Sequence, residues 1–145
     1  MRTNLGELLR NRMIEAVTSS RKDVEDTFKV AERDIGVSKD MLAKGHNDWA
    51  LNIAYNAMLQ AGRALMLSRG FRSIGDAKHL AVVEFVKGEY SSQVPAQSLY
   101  VFDKTRKKRH RAVYEQVGTV SSSEAQTVIT NAEEFVKAVK QILQI

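Results

Sequence analysis

Between Trp49 and Ser68 the chain sets Ala50, Ala54, Ala57, Ala61 and Ala64 on one line, at alternating steps of four and three residues, with Gly62 beside them. Those steps follow the 3.6-residue period of an α-helix and keep all five methyl groups on one face. A ridge of such short side chains lets neighbouring helices approach closely, so this segment predicts the central helix of a bundle. Asn47 or Asp48 is suited to cap its start, and Gly70 supplies a stop signal. Tyr55 and Met58, on the same segment, read as core packing.

The rest of the chain supplies partners for that helix. Leu5, Leu8, Leu9, Met13, Ile14 and Val17 predict a helix from Asn4 to about Val17, after which Thr18, Ser19 and Ser20 offer a break and a cap. Val24, Phe28, Ala31, Ile35, Met41 and Leu42 continue at helical spacing, as one helix or as two joined near Gly36 and Ser38. Phe71 to Ala77 reads as a loop, with Asp76 capping a short helix from Ala77 to about Lys87 that His79 opens. Pro95 suits the first turn of a helix running to about Gln116 and stopped by Gly118. Ser121, Ser122 or Ser123 caps a last helix whose apolar stripe runs from Ala125 through Phe135 to Leu143. No segment shows the strict alternation of a strand. The expected architecture is an all-α antiparallel bundle of about five helices, one domain over 1–145, with an N-terminal helical extension over 1–20 and a core over 21–145.

Several chemistries are excluded by what the sequence lacks. With no cysteine there is no disulfide, thiolate metal site or cysteine nucleophile, and a reducing cytoplasm is the expected compartment. No signal peptide and no apolar run long enough to span a membrane is visible. The phosphate-binding and dinucleotide glycine patterns are missing, and His46, His79 and His110 are scattered, so no cofactor or metal is expected.

The feature that points to function is Arg106-Lys107-Lys108-Arg109-His110-Arg111, with Tyr114 just beyond. The formal net charge is only +5, from 22 Lys and Arg against 17 Asp and Glu, but six basic side chains in one run make a concentrated patch. Leu99, Phe102, Val113 and Val117 lie on one side of the helix period, and Arg106 and Arg109 fall on that same side. Lys107, Lys108 and Arg111 point away and would hold RNA or another anion. A guanidinium turned toward a core needs a carboxylate partner or a cleft that holds anions. His110 and Tyr114 add groups that transfer or donate protons beside the cations.

The chain as a whole resembles the HEPN domains, small helical bundles of prokaryotic toxin-antitoxin pairs that often accompany a minimal nucleotidyltransferase. The resemblance runs from about Arg21 to the C-terminus. It is carried by Ala54-Tyr55-Asn56-Ala57-Met58 with Ala61, Ala64 and Leu65, by His79, and by Arg106 to Tyr114 with the closing helix. The chain is particularly similar to the subgroup reading Arg-x-x-Arg-Asn-x-Ala-x-Tyr, here Arg106, Arg109, His110, Ala112 and Tyr114. Members with ribonuclease activity carry an arginine, four to six residues and a histidine; here Tyr114 stands where the histidine counted from Arg109 would be, and His110 fills the slot of the asparagine.

The resemblance implies a homodimer in which two motif helices face each other and a metal-independent endoribonuclease or RNA-binding role. Cleavage by the 2′-hydroxyl needs a base, a cation for the phosphorane and an acid for the leaving oxygen. Arg106 and Arg109 would supply the cation, His110 the proton carrier and Tyr114 a hydrogen-bond donor. The alternative is a helical interaction module without chemistry of its own, bound to a nucleotidyltransferase antitoxin.

Overall fold

The computed structural model describes residues 4–110 and 119–145, Arg109 and His110 by their backbone alone. Its elements are α1 (Leu5–Arg10), β1 (Ile14–Ala16), α2 (Arg21–Ala43), α3 (Asn47–Ser68), β2 (Phe71–Ser73), α4 (Lys78–Tyr90), α5 (Ala96–His110) and α6 (Ser122–Leu143). The all-α bundle expected from the periodicity is what forms, with one small two-stranded ribbon attached to it.

The alanine ridge does what its spacing predicts. Ala50, Ala54, Ala57, Ala61, Gly62 and Ala64 are all buried, and α3 packs against α2, α4, α5 and α6. The approach to α4 is tight at one point: a Cβ added to Gly62 would stand 2.5 Å from Cγ1 of Val82. Phe28 from α2, Phe85 from α4, Phe102 from α5 and Phe135 from α6 close the core around the ridge. Tyr55, Phe102 and Phe135 form an aromatic line through it, with ring centroids 5.6 Å apart at each step. Such tilted pairs add a directional preference to the burial of apolar area.

Ordinary capping chemistry holds the helix ends. Ser20 and Asp23 form a reciprocal capping box at the start of α2, and those hydrogen bonds from Ser20 hold the Asp23 carboxyl below its usual range. Ser121 accepts from the Glu124 N–H at the start of α6. At the other end of α6, Arg21 donates to the Leu143 carbonyl at 2.8 Å, tying the start of α2 to the end of the chain. α2 runs unbroken through Gly36, where a side chain would meet nothing within 4 Å, so of the two readings of 21–44 the single helix is the one that forms.

Three local expectations are corrected. The helix expected over 4–17 stops at Arg10, Arg12 takes a left-handed φ of 55°, and Ile14–Ala16 pairs antiparallel with Phe71–Ser73, Ile14 opposite Ser73. Strands of three residues are too short to show alternation, and Met13, Ile14 and Val17 fit a helical stripe equally well. Tertiary pairing decides the outcome: Ile74 donates to the Met13 carbonyl and Val17 to the Gly70 carbonyl, both at 2.9 Å, while Arg72 donates to Glu15 across the ribbon at 2.6 Å. α3 begins after His46 with no side-chain cap, because Asn47 instead donates to the Val120 carbonyl at 3.2 Å. α4 begins after Ala77 rather than Asp76 and continues to Tyr90. The expected end of the basic helix near Gln116 and its stop at Gly118 lie outside the described residues.

Candidate functional site

α5 starts directly after Pro95 and buries Ser98, Leu99, Val101, Phe102 and Thr105 against the bundle. Its outward side carries Tyr100, 58% exposed, with the Lys104 ammonium 5.9 Å from the centre of its ring. Lys107, one turn on, is also exposed. Lys87 of α4 joins Tyr100, Asp103, Lys104 and Lys107 in lining a shallow cavity of about 230 Å³.

Asp103 organises the charge there. Arg106 donates to its Oδ1 from Nε at 3.2 Å and from Nη2 at 3.0 Å, and Lys87 donates to Oδ2 at 3.3 Å. Lys107 stands 3.9 Å from that second oxygen. Burial by itself would raise the Asp103 carboxyl, but the hydrogen bonds from Arg106 and Lys87 outweigh it, so the group is held below the ordinary carboxylate range. Lys108 is ion-paired with Glu124 in the first turn of α6. Arg106, turned partly inward as its place on the stripe predicts, therefore has its charge met by a carboxylate of its own helix, and the cleft lies beside that pair. The side chains of Arg109 and His110, and Arg111 and Tyr114 entirely, lie outside the described residues.

A second polar contact is not signalled by the sequence. Tyr55 packs in the core as expected, 1% exposed, and its hydroxyl also shares a hydrogen bond with Nδ1 of His79 at 3.0 Å. The two rings lie 5.7 Å apart. Nothing in the spacing announces a pair separated by more than twenty residues; the only signal was a histidine opening a helix. Among the described residues, no group of three or more His, Asp or Glu side chains gathers as a metal site, and no helix is long and apolar enough to cross a membrane.

The family model for the HEPN domain matches residues 24–142, from within α2 to the end of α6. The chain belongs to the HEPN family. No curated protein matches it. The HEPN span holds α3, α4 and α5 with the Tyr55–His79 contact and the whole basic run, while α1 and β1 precede it. Those two elements are nonetheless joined to the domain, since Leu8 and Ile14 enter its core and β1 pairs with β2 inside the span.

Proposed function

We propose that this HEPN protein is an RNA-directed member of a toxin-antitoxin-type pair, acting as a homodimer and cutting or holding single-stranded RNA along the basic side of α5. The observation that supports this reading is the exposed Tyr100 with Lys104, Lys107 and Lys87 around one cleft, on the helix that leads into Arg109 and His110. Single strands are held this way in general: an aromatic ring takes a base face while spaced ammonium groups follow the phosphates. Cleavage would use Arg109 and Arg106 as the cations on the phosphate, His110 as the proton carrier and Tyr114 as hydrogen-bond donor, with Lys107, Lys108 and Arg111 holding the strand. The test is incubation of the purified protein with single-stranded RNA and tRNA in EDTA, beside an Arg109→Ala variant. Cleavage or salt-sensitive binding by the parent, reduced in the variant, is the expected result; neither activity in the parent overturns the reading.

A second reading has its own support. Asp103 already takes the charge of Arg106 and stands 3.9 Å from Lys107, and Glu124 pairs with Lys108, so each basic residue of the run whose side chain is described has a carboxylate within ion-pair distance. A HEPN module that only binds a nucleotidyltransferase antitoxin needs no uncompensated cation for phosphoryl chemistry. Co-expression with a neighbouring nucleotidyltransferase separates the two: a stable complex of a protein that leaves RNA intact on its own favours the module.

A further inference from the structure

The short ribbon leaves one edge of β2 without a partner strand. Ile14 stands opposite Ser73, Glu15 opposite Arg72 and Ala16 opposite Phe71, and the flanking hydrogen bonds run from the Val17 N–H to the Gly70 carbonyl and from the Ile74 N–H to the Met13 carbonyl. In an antiparallel pair that pattern makes Glu15 and Arg72 the residues that exchange hydrogen bonds, so Phe71 and Ser73 turn their N–H and C=O groups to the opposite edge. Among the described residues, those four groups make no hydrogen bond. A row of this kind is a template on which a further strand can pair.

That edge borders a cavity of about 240 Å³ between α2, the second half of α3 and the start of α4, lined by Phe71 and Ser73 themselves. Met66 and Leu67 extend the Phe71 side into an apolar wall, and Arg63 and Lys78 bring two cations to it. Arg72 also lines the cavity, but its guanidinium is committed to Glu15 across the ribbon. Among the described residues, no carboxylate lines the cavity, and neither Arg63 nor Lys78 has one within ion-pair distance. Arg63 is partly buried, whereas Lys78 is exposed at the rim. Burial pulls Arg63 below the ordinary arginine range, with the Tyr55 hydroxyl nearby opposing it. A guanidinium that has lost water without gaining a counterion is costly, and an incoming carboxylate removes that cost. One desolvated planar fork matches the single charge and two oxygens of a carboxylate.

We infer that β2 is a docking edge for an extended acidic segment of a protein partner, which adds a third strand beside Phe71–Ser73 and sets an aspartate or glutamate carboxylate against Arg63 and Lys78. Side chains alternate along a strand, so two residues of the added strand, one apart from the next but one, share the face on which Phe71 and Ser73 lie. One of them is the acid; the other is an apolar side chain against Met66, Leu67 and Phe71. Main-chain hydrogen bonds to Phe71 and Ser73 then supply affinity, and the two side-chain positions supply selectivity. The surface is independent of the α5 reading, because no residue of α5 lines the cavity.

The test is fluorescence anisotropy of the full chain with a short, end-capped, labelled peptide of alternating threonine and valine in which one central valine is replaced by glutamate. The glutamine counterpart and the glutamate peptide N-methylated along its backbone are measured beside it. The glutamate peptide is also titrated against Arg63→Met, Lys78→Ala, Ser73→Pro and a Lys104→Ala/Lys107→Ala double variant. Ser73→Pro removes an outward N–H and none of the hydrogen bonds to β1. Saturable binding of the glutamate peptide is expected, weakened roughly tenfold or more by glutamine or by Arg63→Met, less by Lys78→Ala, and reduced by N-methylation and by Ser73→Pro. The α5 double variant should bind the peptide like the parent, which keeps a failure of the RNA reading distinct from a failure here. Absence of saturable binding at millimolar concentration, equal affinity for the glutamate and glutamine peptides, equal affinity for the N-methylated peptide, or affinity unchanged in both Arg63→Met and Lys78→Ala overturns the inference. If the peptide does not bind and Ser73→Pro sediments as a smaller species than the parent, a second copy of this chain covers the edge and the inference fails. Lys78 is exposed at the rim, so its variant remains informative if Arg63→Met does not fold.

Discussion

Asp103 is the residue on which the basic helix balances. Its carboxyl is held below the usual range in the folded protein, so folding binds it in the charged form more tightly than unfolding does. The stability it contributes is therefore present above the unfolded carboxylate value of about 3.9 and is lost as the pH falls through the lower native one. Asp103→Asn should lower the melting temperature near neutral pH, and the gap to the parent should close as both are melted at progressively lower pH; a gap that stays constant would mean that ionisation of Asp103 is not its source. Asp34 poses a related question deeper in the fold. It is 5% exposed and accepts from the Asn56 amide at 2.6 Å, linking α2 to α3, while its other partner, Arg33, reaches it from a mostly exposed position. Asn56→Ala would leave that carboxylate short of its part-buried donor and should cost about 2–3 kcal/mol in urea unfolding, the range for a hydrogen bond to a charged group. A loss within measurement error would mean that water replaces the amide.

At the scale of elements, α3 and α4 fit tightly at Gly62. Glycine inside a helix is about 1 kcal/mol worse than alanine, so on propensity alone Gly62→Ala would stabilise. The added methyl would stand 2.5 Å from Val82 Cγ1, a branched and fully buried group with little room to turn. Overpacking of this kind costs about 1–3 kcal/mol and should win, giving a net loss of stability in chemical denaturation. Val82→Ala in the same chain should recover part of it, and the non-additivity measures the contact. The same helix explains what the sequence could and could not disclose. Its alanine ridge, and the apolar stripes of α2 and α6, were legible because a 3.6-residue rhythm maintained over many turns has one physical cause. The β1–β2 ribbon was not, because three residues are too few to set a rhythm and the pairing was decided by partners more than fifty residues away. Caps were ambiguous wherever several short polar residues competed, as at His46-Asn47-Asp48. The basic run was legible as a candidate site by its charge, whereas the reach of Lys87 from α4 to Asp103 and the cavity around Arg63 arise only from the packing of separate elements.

For the whole molecule, the question is how far an RNA strand would engage a protein whose net charge is only +5. Many cations are already committed: Lys39 to Glu133 and Lys140 to Glu32 between α2 and α6, Arg69 to Glu89, Arg72 to Glu15 and Lys108 to Glu124. On the outward side of α5, Lys104 is exposed over Tyr100, and Lys107 stands at the far edge of ion-pair range from Asp103. These two are the ammonium groups that a strand can take up at least cost. Binding of single-stranded RNA releases counterions in proportion to the phosphates neutralised, with a slope of about −0.7 per contact in log affinity against log salt. The Lys104→Ala/Lys107→Ala variant should therefore bind more weakly and flatten that slope by up to about 1.4. Tyr100→Ala removes a stacking surface and no charge, so it should weaken binding roughly tenfold while leaving the slope of the parent. Fluorescence anisotropy of a labelled RNA across a salt series distinguishes the two effects. If both variants change the slope alike, or neither changes affinity, the strand does not run along this side of α5, and RNA contact must be sought elsewhere on the domain.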